Sequence, residues 1–324
     1  MNRGVEIQHL KKNFVLTRWS GFRRKVSEIP AVDDITLSIP RGESVALIGP
    51  NGAGKSTTIK MLTGILHPTA GDVTVLGFVP WRERRKLAYH VGAVFGQRSQ
   101  LWYHLPPGDT FELLARVYNI PRSEFVRTRD QLIDRFVLGP FLDVPVRKLS
   151  LGQRMRAEVA ASLLHRPKIL FLDEPTIGLD VIARQELRDL IREWNRERGV
   201  TVFLTSHDAG DIEHVAERVI VINCGRVVLD DRVNAVRRQY LGSKVLRVQF
   251  QEQPSDFSMP GLRIIQRSGY ELKLEVDSTV TPVSAVIGAI LRAAPIADIA
   301  VEDPPLEEVI ARIYTSTSQT GGSS

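Results

Sequence analysis

The sequence predicts an α/β fold: a mostly parallel sheet flanked by helices, with an inserted helical subdomain and a small C-terminal α+β domain. From residue 32 to residue 228, short apolar runs alternate with longer segments of helical periodicity, which is typical of β-α-β units. Three of the runs, SVALI, ILFL and VTVFLT, lack the period-two alternation of a half-exposed strand. Continuous apolar runs are typical of strands that helices cover on both faces, so these three are predicted to be central.

The domain boundaries follow from changes in this pattern. Helical periodicity replaces strand signals between about residues 98 and 166, which predicts the inserted subdomain within a first domain of residues 1–238. Alternating strands and helices then predict an accessory α+β domain of ferredoxin-like type over residues 239–314, from the strand LRVQF to a final helix LEEVIARIY. Residues 315–324 are rich in Ser, Thr and Gly with nothing to bury, and we expect a flexible tail.

Composition limits the cellular setting and the partners. A single cysteine, Cys224, excludes an internal disulfide framework, and the first residues lack the apolar stretch of a secretory signal, so a cytosolic protein is expected. The best apolar window, Val283 to Leu291, falls far short of the roughly 20 residues that span a bilayer. The formal net charge of +6 suits either nucleic acid or an anionic membrane surface and does not choose between them.

A glycine-rich segment, GPNGAGKS, follows the strand SVALI and precedes a helical run. This order of strand, loop and helix fits the P-loop pattern G-x-x-x-x-G-K-S, in which backbone N–H groups and a helix N-terminus surround phosphate oxygens. Lys55 adds a full positive charge, and Ser56 is placed to ligate Mg²⁺. The sequence therefore predicts a P-loop NTPase cassette. The residues predicted to bind the nucleotide here are Gly49, Pro50, Asn51, Gly52, Ala53, Gly54, Lys55, Ser56 and Thr57.

Adjacent carboxylates end the buried strand in ILFLDEP. Phosphoryl transfer depends on positioning and charge neutralisation, so a carboxylate at the metal and one near the attacking water have different roles. We assign Asp173 to the metal, through water, and Glu174 to the attacking water as general base. Upstream, Ser150 and Gln153 in LSLGQ stand in the S-x-x-Q relation of a capping box, which predicts that a helix begins there.

Taken together, the P-loop, LSLGQ and LDEP resemble the motifs of the ATP-binding-cassette (ABC) family, whose usual signature is L-S-G-G-Q. The resemblance covers about residues 5–228 and implies an ATPase that uses Mg²⁺. It implies that Gln97 is the Q-loop residue, which approaches Mg²⁺ at the hinge to the helical subdomain. Asp180 then belongs to the D-loop at a dimer seam, and His207 contacts the γ-phosphate.

In this family the signature of one cassette completes the P-loop site of a second, so the resemblance implies a dimer, here a homodimer. Ser150, Gly152 and Gln153 would then meet the nucleotide of the partner protomer. Leu151 departs from the family pattern, because it replaces the first signature glycine. A bulky side chain there is expected to affect the closing rate and the nucleotide affinity more than the function itself.

Three further features have two interpretations each. Phe14 is the best match for the aromatic residue on which the family stacks adenine, and the alternative is a core phenylalanine. Trp102 and Tyr103 are candidates for coupling to a membrane subunit, and the alternative is packing inside the helical subdomain. The basic segment at residues 17–30 is predicted to be a solvated loop, and the alternative is contact with lipid headgroups or nucleic acid.

The stretches VFGQRSQLW, PVRKLSLGQRMRAE and LFLDEPTIGLDV resemble the branch that serves ABC-2-type exporters, including drug-resistance and viologen-type efflux ATPases. This resemblance implies export, separate ABC-2-type permease subunits, and a peripheral location at the cytoplasmic face of the inner membrane. No nucleic-acid partner is expected. The alternative is a soluble ABC ATPase that acts on the ribosome or nucleic acid, which the single cassette and the lack of coiled-coil heptads disfavour.

Overall fold

The computed structural model describes residues 3–20, 23–96, 99–240, 243–254, 258–278 and 280–302. The chain divides into two units, Met1–Val233 and Asn234–Ser324. The strands of the first unit are β1 (Arg3–Ser20), β2 (Arg23–Pro40), β3 (Ser44–Ile48), β4 (Ala70–Val75), β5 (Val91–Phe95), β6 (Ile169–Asp173), β7 (Thr201–Ser206), β8 (Arg218–Asn223) and β9 (Arg226–Arg232). Its helices are α1 (Lys55–Leu62), α2 (Arg84–Ala88), α3 (Pro107–Val117), α4 (Arg122–Arg135), α5 (Leu151–Leu163), α6 (Val181–Arg198) and α7 (Ala209–Val215).

These strands form one sheet in the order β4-β1-β2-β9-β8-β3-β7-β6-β5. Strands β5, β6, β7, β3 and β8 pair in parallel, whereas β9 with β8, β1 with β2, and β4 with β1 pair antiparallel. The sequence segments SVALI, ILFL and VTVFLT lie in β3, β6 and β7, which are neighbours inside the parallel part. The α/β fold and the central position of these strands are confirmed.

The apolar character of the central strands determines their register, and this register places the ends of the strands at the site. Every residue of β3 and β7 is buried, and Phe171 on β6 packs against Phe203 on β7 with ring centroids 5.8 Å apart. Burial of one such side chain contributes about 1.5–3 kcal/mol, so a slipped register would be costly. In the observed register Ile48 pairs with Ser206, and Asp173 pairs with Thr205. The carboxyl ends of three strands therefore meet beside the P-loop.

Strands β1 and β2 form a long antiparallel pair, the β1–β2 hairpin, and the loop predicted for residues 17–30 is wrong for the described residues 17–20 and 23–30, which are strands. The described pairing of β1 with β4 ends at Lys11, while β1 and β2 remain paired as far as Ser20 and Arg23. Val15 on this hairpin is 60% exposed. Because both faces of a two-stranded ribbon can be exposed, the segment lacks the apolar alternation that identifies a half-buried strand.

The inserted segment between β5 and β6 is helical, with α3, α4 and α5 as its main elements. Phe111, Phe125 and Leu132 on α3 and α4 are fully buried and give this segment an apolar interior. Short 3-10 turns at Gly139–Phe141 and Val146–Lys148 connect α4 to α5. None of the helices in the described part of the chain combines the length and apolar character needed to cross a bilayer.

In the described residues, the second unit has a small antiparallel sheet on which the helix α9 (Val283–Ala293) packs. It contains β10 (Ser243–Phe250), β11 (Leu262–Ser268), β12 (Glu271–Asp277), α9 (Val283–Ala293) and β13 (Ile296–Glu302), and the sheet order is β11-β12-β10-β13. Leu246, Leu274 and Ile290 lie in its separate apolar core. Strand β11 was not predicted from the sequence. The predicted boundary after residue 238 falls inside α8 (Val233–Tyr240), whereas the second unit begins at Asn234.

The element order of this unit differs from a ferredoxin-like β-α-β-β-α-β pattern in its first half. The described residues between β10 and β11, 251–254 and 258–261, contain no helix. From β11 onward, two strands, a helix and a strand follow in the ferredoxin-like order. The predicted final helix LEEVIARIY and the tail at residues 315–324 lie outside the described residues.

Candidate functional site

The P-loop connects the end of β3 to the start of α1. Gly52 and Gly54 have φ values of 84° and 105°, in the left-handed region that favours glycine. A side chain at Gly54 would also collide with the Ala31 carbonyl oxygen. The loop therefore adopts a conformation that only these glycines allow, and it opens a cavity of about 690 Å³. The residues that line this cavity are Ala31, Gly49, Pro50, Asn51, Gly52, Ala53, Gly54, Lys55, Ser56, Thr57, Glu174, Ile177 and His207.

The Lys55 ammonium is held at this cavity although its side chain is almost fully buried. Its Nζ donates to the carbonyl oxygen of Gly49 at 2.7 Å and lies 3.6 Å from Oε1 of Glu174. A buried ammonium requires such partners, because leaving it unpaired would cost several kcal/mol. Phosphate oxygens could replace the Glu174 carboxylate, so the cavity offers one fixed cation to an anionic ligand.

Asp173, the last residue of β6, meets the first turn of α1. Ser56 Oγ donates to Asp173 Oδ1 at 2.9 Å, and Thr205 Oγ1 on β7 donates to the same oxygen at 2.6 Å. The hydroxyl and the carboxylate are hard oxygen donors of the kind that Mg²⁺ prefers. Two of the three predicted metal ligands, Ser56 and Asp173, are thus brought together, and their donor set fits a magnesium ion.

Glu174 follows directly and has an unusual backbone. Its φ of 54° places a non-glycine residue in the left-handed region, which costs roughly 1–2 kcal/mol. Its N–H donates both to the carbonyl oxygen and to the hydroxyl of Thr205, at 3.1 Å each. The side chain carboxylate contacts His207, with Oε2 and Nδ1 2.6 Å apart, and reaches Lys55 through its other oxygen. Strain of this kind is concentrated at functional sites.

Gln97 lies outside the described residues, but the chain before it approaches the two carboxylates. The N–H of Gly96 donates to the Asp173 carbonyl oxygen at 2.8 Å. A side chain on Gly96 would collide with the Glu174 carbonyl oxygen. The glycine thus allows the chain that leads to Gln97 to run directly past the end of β6.

The signature segment begins α5 as the sequence predicts. Gln153 N–H donates to Ser150 Oγ at 3.2 Å, and Ser150 N–H donates to Gln153 Oε1 at 2.9 Å, which confirms the capping box. The Ser150 hydroxyl keeps its own proton for donation to another group. Leu151 Cδ2 lies 3.0 Å from the position that a Cβ on Gly178 would occupy, so Leu151 packs on the turn before α6. Neither these residues nor Gly152 lines the cavity of the same chain.

Asp180 is the N-cap of α6, and its carboxylate accepts from Ala183 N at 2.9 Å. Next to this turn is a buried polar network that the sequence analysis missed. Asp211, 1% exposed, accepts from Thr176 Oγ1 at 2.5 Å, Ser206 Oγ at 2.6 Å and Arg188 Nε at 2.7 Å. The network connects the turn before α6 with the end of β7, one residue before His207.

The exposure of Phe14, Trp102 and Tyr103 distinguishes between the two interpretations that the sequence left open for each of them. Phe14 is 38% exposed, so it is not a core phenylalanine, and it pairs across the hairpin with Ile29, two residues from the cavity-lining Ala31. Phe14 itself does not line the cavity, and the Lys12 ammonium lies 5.4 Å from its ring centroid. Trp102 and Tyr103 are 46% and 56% exposed, which excludes the alternative of packing inside the helical subdomain.

Lys55, Asp173, Glu174 and His207 were predicted from the sequence, but Thr205, whose hydroxyl contacts the Asp173 carboxylate and the Glu174 N–H, was not. Its signal was present, because Thr205 ends the apolar run VTVFLT and is followed by Ser206 and His207. Only the pairing of β6 with β7 makes that position a neighbour of Asp173. Ala31 lines the cavity without any recognisable motif, and Ile177, which belongs to the D-loop segment TIGLD, was not predicted to line it.

The fold and the site define a P-loop protein that binds a nucleoside triphosphate at the carboxyl edge of a parallel sheet. The family profile described as ABC transporter matches residues 32–177. The chain is 33% identical over 251 residues to the lantibiotic transport ATP-binding protein SrtF of Streptococcus pyogenes, covering 77% of this chain and 96% of the relative. It is 30% identical over 298 residues to the daunorubicin resistance ATP-binding protein DrrA3 of Streptomyces coeruleorubidus, covering 90% and 94%.

Solved structures agree with this assignment. An ATP-binding subunit of an ABC transporter matches with a TM-score of 0.62 and 25% identity, covering 73% of this chain and 92% of that chain. A dimeric ATP-binding cassette in a post-hydrolysis state, bound to ADP and Pi, matches with a TM-score of 0.61 and 26% identity, covering 71% and 98%. The chain belongs to the ABC transporter family: it is an ATP-binding subunit and an ATPase, close to the ABC-2-type exporter ATPases.

Proposed function

We propose that the protein hydrolyses Mg–ATP at the P-loop cavity as the motor subunit of an ABC-2-type exporter, with Glu174 as the general base. The observation that supports this most directly is the position of the Glu174 carboxylate, which contacts Lys55 with one oxygen and His207 with the other. A phosphate group in the cavity competes for Lys55 and so releases one carboxylate oxygen. Glu174 can then accept a proton from the attacking water.

The remaining residues bind and orient the nucleotide. Backbone N–H groups from Gly49 to Thr57 surround the phosphates, and His207, at the mouth of the cavity, donates to the γ-phosphate. Ser56, Asp173 through water, and Gln97 would hold Mg²⁺, which neutralises developing charge on the phosphate oxygens. The exposed ring of Phe14 stacks on adenine, since Phe14 pairs across the hairpin with Ile29, which is two residues from the cavity-lining Ala31.

Two copies of the chain are proposed to complete each other's sites as a homodimer. Ser150, Gly152 and Gln153 at the start of α5 meet the γ-phosphate of the partner's nucleotide, and Asp180 lines the seam. The proposal is supported by the dimeric post-hydrolysis cassette among the similar structures. It is also supported by the free proton of the Ser150 hydroxyl, which remains available within the capping box. The contacts that ATP makes between the two chains hold the dimer closed. Because hydrolysis removes these contacts, each cycle of ATP binding and hydrolysis closes and then opens the dimer.

Separate ABC-2-type permease subunits are the proposed membrane partners, and the location is peripheral, at the cytoplasmic face of the inner membrane. The relatives SrtF and DrrA3 are described as serving lantibiotic transport and daunorubicin resistance, which supports export. Trp102 and Tyr103 form the proposed contact, because exposed aromatic side chains bury a large area at interfaces with little entropy loss.

The experiment that tests the ATPase mechanism compares Glu174→Gln with the parent protein and with Glu186→Gln, a change at an exposed carboxylate on α6. Loss of the general base is expected to lower turnover by about 10²–10⁴-fold in Glu174→Gln alone. Because slow hydrolysis preserves the closed form, Mg–ATP should convert this variant from monomer to dimer in mass measurements. Normal turnover in Glu174→Gln would refute the assignment of the base.

A second experiment tests the membrane partner with Trp102→Ala/Tyr103→Ala. This variant should keep the ATPase activity of the isolated protein but leave the membrane fraction of cells that contain the permease. Val117→Ala, at a similarly exposed apolar residue on α3, is the control and should remain membrane-bound. Salt-sensitive binding of the parent protein to RNA or ribosomes, with no membrane association, would instead support the soluble ABC ATPase.

A further inference from the structure

A cationic cleft lies at the edge of the sheet opposite the P-loop. It has a volume of about 350 Å³ and lies where the connections into β3, β6 and β7 run, at the amino ends of these strands. No acidic residue is present among the described residues that line it. The lining residues are Arg41, Thr128, Gln131, Arg166, Pro167, Lys168, Trp194, Arg198, Gly199 and Val200.

The charge of this cleft exceeds what its surroundings neutralise. Arg166 is paired, because its Nη1 lies 3.2 Å from Glu124 Oε1. Within the described part of the chain, no carboxylate lies within ion-pair distance of Lys168 or of Arg198, whose guanidinium contacts Gln131 and the Trp194 ring. The C-termini of α5 and α6 supply about half a negative charge each. About one positive charge therefore remains even when Arg41 is left out of the count.

Two guanidinium groups of the cleft, those of Arg166 and Arg198, are held in place before any ligand binds. Arg166 Nε donates to Thr128 Oγ1 at 3.0 Å, and Arg198 Nη2 donates to Gln131 Oε1 at 3.2 Å. The Arg198 guanidinium lies 5.4 Å from the Trp194 ring centroid. A planar guanidinium whose position is already fixed loses little entropy when it binds a phosphate or carboxylate group.

The rest of the lining is apolar and indicates an organic ligand rather than a bare ion. Trp194 and Val200 are buried, at 8% and 6% exposure, and Pro167 is buried beside them. Small-molecule sites combine such apolar walls with a few polar groups that fix the orientation, in volumes that begin at about 300 Å³. A phosphomonoester carries about −1.5 to −2 charge at neutral pH, which is opposite in sign to the excess positive charge of the cleft.

From these observations we propose that the cleft between α4 and α6 is a second ligand site, distinct from the ATP site, that binds a small organic phosphate. Lys168 and Arg198 bind the phosphate group, and Trp194, Pro167 and Val200 contact the organic part. Because α4 belongs to the inserted helical segment and α6 begins beside the P-loop cavity, a ligand bound here links the two parts of the cassette. Its binding is therefore expected to alter the rate of ATP hydrolysis.

The test uses the full-length protein saturated with Mg–ADP, so that the P-loop cavity is filled, and titrates it with ribose 5-phosphate by calorimetry. Inorganic phosphate and ribose are titrated in parallel. We expect ribose 5-phosphate to bind more tightly than inorganic phosphate, and ribose not to bind. Lys168→Gln and Arg198→Gln should each weaken binding of ribose 5-phosphate about 10- to 100-fold, since each removes a charge-assisted hydrogen bond.

Lys86→Gln is the matched control, because Lys86 is an exposed lysine on α2, remote in sequence from the cleft residues, and its loss changes the net charge equally. Its affinity for ribose 5-phosphate should equal that of the parent protein. Absence of binding in a sample that has bound ADP, or equal affinity in Lys168→Gln, Arg198→Gln and the parent, would overturn the proposal. Equal affinity for inorganic phosphate and ribose 5-phosphate would show an adventitious anion only and would also overturn it. Each outcome is independent of the ATPase result for Glu174→Gln.

Discussion

Replacement of Thr205 by valine tests whether the Thr205 hydroxyl positions both Asp173, through its carboxylate, and Glu174, through its N–H. The side chain is fully buried, donates to Asp173 Oδ1 at 2.6 Å and accepts from Glu174 N–H at 3.1 Å. Valine keeps a similar volume but can form neither bond. Asp173 retains the hydroxyl of Ser56, and Glu174 N–H retains the Thr205 carbonyl oxygen, so neither group is left wholly without a partner.

The expected cost follows from the bond to the charged carboxylate. A hydrogen bond to an ionised group contributes about 1.5–3 kcal/mol to stability. The bond from Glu174 N–H adds little, because this N–H also donates to the Thr205 carbonyl oxygen, which the valine variant keeps. For a unit of the size of Met1–Val233, each kcal/mol lowers the thermal midpoint by about 2–4 °C, so Thr205→Val should lower it by about 3–12 °C. If the same energy positions Asp173 in the transition state, kcat/KM should fall about 10- to 100-fold.

The assay measures ATP turnover and thermal unfolding of Thr205→Val and Thr205→Ser in parallel. Serine keeps the hydroxyl and loses only a buried methyl group, which costs about 0.5–1.5 kcal/mol. Thr205→Ser should therefore lose some stability but keep nearly full turnover. If the serine and valine variants show equal kcat/KM, the hydroxyl does not position the carboxylates and the reasoning is refuted.

Three further predictions concern other parts of the cassette. Asp211→Asn should lower the free energy of unfolding by about 1.5–3 kcal/mol in urea titrations, because Arg188 loses one charged partner but keeps Asp208, and an unchanged midpoint would contradict this. Burial raises the pKa of Glu158, so its charged form costs stability as pH rises; Glu158→Gln should raise the thermal midpoint at pH 8 but not near the unfolded pKa of about 4.3. Gly96→Ala should lower kcat at least tenfold, because its Cβ collides with the Glu174 carbonyl oxygen, and wild-type turnover would disprove that contact.

Much of the fold could be predicted because the informative segments are local. The apolar runs of β3, β6 and β7 carry no alternation, and the glycines and lysine of the P-loop are contiguous in sequence. The capping box at Ser150 and Gln153 is likewise a relation over three residues, and the structure confirms it. In each case the physical cause acts within one turn or one strand.

The errors and omissions concern features without such local cause. The β1–β2 hairpin includes residues 17–20 and 23–30, and exposed apolar side chains such as Val15, Leu16 and Val26 give no alternation of buried and exposed positions that would identify strands. Strand β11 was missed because its residues after Leu262 are exposed on both faces. The division before Asn234 lies five residues from the boundary that the change of pattern predicts after residue 238, because its position depends on which side chains pack together.

The sequence by itself determined the α/β fold, the phosphate-binding loop and the identity of the residues in it, since these depend on residue type and short spacing. The tertiary structure decided which distant side chains share a site. In the folded chain, Thr205 contacts Asp173 and Glu174, and Asp211 forms an ion pair with Arg188. A cationic cleft lies between α4 and α6. These relations arise from the parallel register of β6 and β7 and from helix packing, and contacts between residues far apart in sequence have no period that a sequence pattern can reveal.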